Sequence, residues 1–161
     1  MTAPDRAAVW TAHREYLEAQ LTSLKVAVDA AQEAMRVDGD HRPSSRGERG
    51  AVSTAGALRA GLLERAAAME SALADLARMG VGGRARVGPG ALVQIDDGQR
   101  ERWLAVLPGG DGRRVTVGGA VVTVVSVSAP LVCAVWGLQE GDAAELGRAG
   151  GHVEVEVVRV L

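Results

Sequence analysis

Hydrophobic positions recur every three or four residues through the first half of this chain and alternate with polar ones in the second. Trp10, Leu17, Leu21, Leu24, Val28, Ala31 and Met35 form one stripe at that spacing, with Arg14 as its exception. Ala55, Leu58, Leu62, Ala66, Met69, Leu73 and Leu76 form another. Both are coiled-coil seams, and each predicts a helix on the order of 40 Å long at 1.5 Å per residue. Neither stripe buries itself alone, and the segment between them is long enough only for a reversal. The pattern predicts an antiparallel helical hairpin, with a piece of a larger bundle or a dimerising coiled coil as alternatives. Alanine in the seam permits close approach of the helices but contributes less burial per residue than leucine.

The second half predicts short strands at Ala91–Ile95, Arg102–Leu107, Arg114–Val117, Ala120–Val127, Ala143–Leu146 and His152–Val160. In the last, Val153, Val155 and Val157 fall on one face and Glu154 and Glu156 on the other, the period of a half-buried strand. Turns are marked by Asp96-Asp97-Gly98, Pro108-Gly109-Gly110-Asp111-Gly112 and Ala149-Gly150-Gly151. Ser128-Ala129-Pro130 predicts a short helix capped by serine, with proline in its first turn and an end at Gly137. That helix is expected to bury Leu131, Val132, Cys133, Val135 and Trp136, with Trp103 also in the core. Val115–Leu138 is uncharged over 24 residues, but its glycines, serines and Pro130 predict strand and then helix, not a membrane span. The expected class is α+β: the hairpin, then a small antiparallel sheet with one short helix packed on it.

Composition divides the chain at the same place. Residues 1–80 hold 19 of the 28 alanines, while residues 81–161 hold 18 of the 23 valines and 15 of the 21 glycines. Gly80-Val81-Gly82-Gly83 marks the joint between a domain at 1–80 and a domain at 81–161. Over 161 residues the formal net charge is only −2, which excludes a basic coat for nucleic acid; direct sequence-specific DNA binding is not expected. Aromatic residues at 2% are too few for base-stacking platforms. Cys133 is the sole cysteine, so there is no disulfide framework. The charged opening Met1-Thr2-Ala3-Pro4-Asp5-Arg6 lacks the apolar core of a signal peptide, and the expectation is a cytoplasmic protein with no membrane partner.

Candidate chemistry concentrates at the turn of the hairpin, the loop 38–50. Its thirteen residues, Asp38 to Gly50, exceed the usual helix–helix connection. Asp38, Asp40 and Glu48 put carboxylates there, beside Arg42, Arg46 and Arg49. Carboxylates on a loop can hold a hard cation such as Mg²⁺ when a partner completes its ligands; otherwise the loop is a solvated polar tip. Elsewhere, His13, His41 and His152 are scattered without metal-ligand spacing. The glycine-rich segments lack a P-loop lysine, and no serine has a recognisable His and Asp partner.

The run Ser126-Val127-Ser128-Ala129-Pro130-Leu131, an apolar helix, then Gly137-Leu138-Gln139-Glu140-Gly141-Asp142 resembles the signature of the GreA/GreB transcript cleavage factors. That signature reads Ser-x-x-Ser-Pro-Ile/Leu, an apolar helix, Gly-Lys and Gly-Asp, followed by a glycine turn and a final strand with Glu-Val. Ala149-Gly150-Gly151 and Val155-Glu156-Val157 stand at the last two places, and the hairpin precedes them in the family's order.

The resemblance implies an FKBP-like C-terminal domain and a role as a bacterial RNA polymerase accessory factor. The C-terminal domain would dock on polymerase and the coiled coil would enter the secondary channel, modulating elongation or stimulating cleavage of backtracked transcripts. Nascent RNA would be met only indirectly. Such a factor is not itself an enzyme and has no cofactor of its own. Its tip carboxylates would share the Mg²⁺ of polymerase, with Asp40 the match to the family's aspartate, and Glu48 or Asp38 as the substitute for a glutamate whose place is taken by Pro43. Arg42, Arg46 and Arg49 would contact acidic residues or RNA phosphate. Because the tip departs from the family's Glu-Asn-Ala-Glu-Tyr pattern, channel occupancy without cleavage stands beside cleavage. A non-cleaving adaptor, like the relatives that regulate nucleoside diphosphate kinase, is the alternative.

Overall fold

A computed structural model describes residues 2–36 and 45–161, with the side chains of Glu48 and Arg148 outside the description. The order is α1 (Arg6–Ala34), α2 (Arg46–Arg78), β1 (Leu92–Asp96), β2 (Glu101–Val106), β3 (Asp111–Val117), β4 (Ala120–Val125), α3 (Pro130–Ala134), β5 (Ala143–Arg148) and β6 (Gly151–Val160). All the expected elements form, and the class is α+β. The uncharged stretch is strand and short helix, and among the described residues no helix is long and apolar enough to cross a membrane. Helix α2 begins at Arg46, so the last five residues of the segment read as loop, Arg46–Gly50, are helical. The Ser45 carbonyl accepts the first intrahelical bond, from the Arg49 amide at 3.3 Å, which puts Ser45 at the N-cap.

The chain packs as two compact units, Tyr16–Ala72 and the combination of Met1–Glu15 with Leu73–Leu161. In the first, the helices run antiparallel. Lys25 pairs with Glu70 at 3.0 Å, and a side chain built at Gly56 would touch Met35, so moving up α1 moves down α2. Leu17, Leu24, Ala31, Ala66 and Ala72 are buried along the seam. The α2 stripe departs from the expected one at Leu58, which is 58% exposed, while the neighbouring Arg59 is half-buried. The aliphatic stem of an arginine can be buried in this way while its guanidinium keeps to water. At the place of Arg14 in the α1 stripe it is the neighbouring His13 that is fully buried.

Gly61 lies exposed inside α2, with open space where a Cβ would stand. Glycine there exposes backbone and has the larger unfolded-state entropy, so Gly61→Ala should stabilise the helix by about 1 kcal/mol. Urea unfolding followed by far-UV circular dichroism reads this as a higher midpoint at unchanged slope.

In the other unit a six-stranded sheet has the order β3-β4-β2-β1-β6-β5. Its pairs are antiparallel apart from β2 and β4, which run parallel, Trp103 beside Val122 through Val106 beside Val125. The expected antiparallel sheet forms, with this one parallel pair inside it. After β2 the chain crosses to the edge as β3 and returns as β4 in the place between, which forces β4 to follow the direction of β2. One face packs Val93, Ile95, Leu104, Val155 and Val157 against Val135, with Leu131, Ala144 and Leu146 closing the cluster. Each fully buried valine contributes about 1.5 kcal/mol. Trp103 is buried as expected.

Candidate partner-binding elements

The short helix is built differently from its expected form. Pro130 starts α3, but the N-cap is Ala129 and no side chain caps it. The Ser128 hydroxyl is instead hydrogen-bonded to that of Ser126 at 2.9 Å. Proline removes one of the N–H groups a cap would serve, which reduces the need for serine there. With Val132 and Val135 fully buried, helical geometry turns Cys133 and Trp136 the other way. Cys133 is exposed and Trp136 is 49% exposed, so neither is the core residue expected. The Cys133 thiol donates to the Val127 carbonyl at 3.6 Å, and Val127 is itself 45% exposed. Sequence reasoning missed this small apolar surface, although the assignment of Leu131, Val132 and Val135 to the core already implied it.

The residues after α3 hold the helix to the sheet. Gly137, at φ +76°, turns the chain out of the helix, and its amide donates to the Val87 carbonyl at 2.9 Å while Val87 donates to Leu138. Gly141, at φ +89°, donates to Val157 at 2.8 Å, and Val157 donates back to the Asp142 carbonyl. The Asp142 carboxylate accepts from the Gln139 amide at 2.8 Å. The glycine and aspartate positions of the Gre-type run therefore have backbone duties: two left-handed turns and one side-chain cap.

At the other end, Arg46 and Arg49 are exposed on the first turns of α2, three residues apart and so on one side of the helix. Asp38, Asp40 and Arg42 lie outside the described residues, as does the side chain of Glu48, whose backbone is helical. Among the described residues, no three His, Cys, Asp or Glu side chains come together in a group able to hold a metal ion.

A long helical pair, then a sheet, and the Ser126–Asp142 run folded as helix and glycine turns make up the arrangement implied by the resemblance. In fold, the chain resembles a Gre factor. Among solved structures, it is similar to the GreA factor homolog 1 (Gfh1) protein of Thermus thermophilus at 20% identity, covering 92% of this chain and 94% of that one, with a TM-score of 0.36. It is also similar to Thermus aquaticus Gfh1 at 22% identity, over 91% and 92% of the two chains, with a TM-score of 0.37. Prokaryotic transcription elongation factor GreA/GreB from Nitrosomonas europaea shares 26% identity over 57% of this chain and 78% of that one, with a TM-score of 0.35. No family model matches the chain, and no curated protein matches it significantly.

Among the described residues of this Gre-like chain, Gln94 and Asp97 are buried polar side chains, and so is His13, which is fully buried. Its Nε2 lies 2.8 Å from the Pro108 carbonyl and its Nδ1 lies 3.2 Å from Arg113 Nη2. A carbonyl only accepts and a guanidinium only donates, so Nε2 carries the proton and Nδ1 presents a lone pair. The ring is neutral. Desolvation is the main cause that lowers its pKa below the ordinary histidine value, assisted by the positive charge of Arg113 and opposed by the Pro108 hydrogen bond and the negative charge of Asp111. The three-residue step from Trp10 and the four-residue step to Leu17 were the signal for a buried residue here.

Proposed function

We propose that this protein is a cytoplasmic, RNA polymerase-binding regulator of transcript elongation. The reading rests on the Gre-type run Ser126–Asp142, which folds as a helix held to the sheet by its glycine and aspartate positions while leaving Trp136 in water. A half-exposed tryptophan beside exposed Val127 is the kind of anchor that carries protein–protein affinity. In this reading the α3 surface docks on polymerase and the hairpin delivers residues 38–50 into the secondary channel. Arg46 and Arg49 engage acidic groups or RNA phosphate, with charge-assisted hydrogen bonds as the attraction. The protein performs no chemistry of its own, and any Mg²⁺ belongs to polymerase. Asp40 and Glu48 are the tip carboxylates through which it acts on a backtracked complex.

The test uses purified core polymerase from the same organism. Trp136→Glu should weaken binding at least tenfold, since a truncated anchor costs about 2 kcal/mol or more. Asp40→Ala with Glu48→Ala should bind as wild type but lose its effect on backtracked complexes. Cleavage of stalled transcript by the wild type identifies a cleavage factor. Competition with a known cleavage factor, without cleavage, identifies a channel-occupying regulator. Absence of polymerase binding overturns the reading in favour of an adaptor for another protein.

A further inference from the structure

The two outer strands of the sheet are finished differently. β3 ends it on one side with a register shift between Asp111 and Arg114 and an exposed Arg114, devices that keep an edge strand from pairing. β5 ends it on the other. It pairs with β6 at six consecutive positions, from Ala143 beside Glu156 to Arg148 beside Gly151, with no register shift. It contains no proline.

The backbone groups of β5 point alternately inward and outward. The Val157 amide donates to the Asp142 carbonyl at 2.8 Å, so Asp142 turns its carbonyl towards β6. Antiparallel ladders alternate, and Ala144 and Leu146 therefore point their backbone groups the same way. Ala143, Glu145 and Gly147 present their N–H and C=O groups on the outer edge, and all three residues are exposed. Such an edge is a template for one more strand. Beside it, Leu131, Ala144 and Leu146 are only partly buried against Val135, Val155 and Val157, so the apolar layer is unfinished at this end of the sheet.

We propose that β5 is the contact between two copies of this chain, each adding its β5 antiparallel to the other's across a two-fold axis at Leu146. In that register Leu146 of one copy faces Leu146 of the other at a narrow, non-hydrogen-bonded position, and the two side chains extend the apolar layer across the joint. Glu145 of each copy faces Gly147 of the other, and each such pair exchanges both N–H···O bonds. A register centred on Glu145 would instead set two carboxylates directly opposite each other, which is destabilising. The added strand needs an apolar side chain beside Leu146 and a small residue opposite Glu145, and β5 itself supplies both. A self-complementary patch of this kind makes an isologous, closed dimer. One strand per copy buries little against the roughly 1,600 Å² of a standard interface, so the association is weak and reversible.

Sedimentation velocity of the full chain tests this. The wild type should pass from monomer to dimer between micromolar and hundreds of micromolar protein. Gly147→Pro removes an outward N–H and leaves the β6 ladder in place, and a side chain there meets nothing within 4 Å. It should weaken dimerisation about tenfold with an unchanged circular dichroism spectrum. In a Cys133→Ala background, Leu146→Cys should cross-link to its own copy on oxidation with copper phenanthroline, because narrow pairs lie about 4.5 Å apart at Cα. Ala143→Cys, far from the axis, should not. A wild type that stays monomeric at hundreds of micromolar would overturn the proposal and leave the edge to an extended segment of another protein. A dimer undiminished in Gly147→Pro, or cross-linked equally at positions 143 and 146, would overturn the contact at β5.

Discussion

Gly110→Ala is expected to destabilise the sheet unit by about 3 kcal/mol. A Cβ at Gly110 would stand 2.3 Å from the Val125 carbonyl carbon and 2.5 Å from its oxygen. Those are backbone atoms, and they are held in place because the Val125 carbonyl accepts the Leu107 amide at 2.9 Å. The neighbouring chain cannot rotate away as a flexible side chain could. The constraint is close approach, and it follows from the crossing that puts β4 beside β2. Gly88→Ala is the control: its Cβ meets nothing within 4 Å, so it should be neutral or stabilising by about 0.5 kcal/mol. Urea unfolding monitored by circular dichroism compares the two, and equal stabilities would refute this account of the turn.

His13→Ala should cost a similar amount, about 3 kcal/mol, because it opens a cavity and leaves the Pro108 carbonyl without its imidazole donor. It also removes the acceptor that Arg113 Nη2 uses. The pH dependence separates this residue from any other buried side chain of its size. The folded-state pKa of His13 is lowered, so the unfolded chain takes up the proton first as the medium is acidified. The wild type therefore has the full contribution above the unfolded value of about 6.5. It loses that contribution progressively as pH falls from there towards the lower folded-state pKa. The alanine variant lacks this loss, so the stability gap between the two proteins should narrow with acidification. A gap constant from pH 7.5 down to 5 would show that the ring is not held neutral in the native state.

Local pattern carried much of this fold. Period-two valines placed β6, and glycine clusters bounded the sheet turns, because side-chain alternation and positive φ are properties of a few adjacent residues. The three-four stripes likewise placed α1 and α2, and with them the antiparallel pairing. The errors share a cause. Leu58 fits the three-four stripe yet is exposed beside half-buried Arg59, since hydrophobicity alone cannot say which of two adjacent positions faces inward. Cys133 and Trp136 are apolar yet exposed, because a helix as short as α3 has only one face to bury. The tip chemistry of Asp38, Asp40, Arg42 and Glu48 remains a reading of sequence, whereas Arg46 and Arg49 have a structural setting on an exposed helical turn.

By itself the sequence determined which segments are helix and strand, where composition changes, and the run from Ser126 to Asp142 that carries the Gre resemblance. Those features depend on residues close together in the chain. Tertiary structure alone decided that β4 runs parallel to β2, that Gly110 must lack a side chain, and that His13 is neutral between Pro108 and Arg113. Each of these depends on atoms brought together from distant parts of the chain, where close packing and desolvation, not local propensity, set the energy.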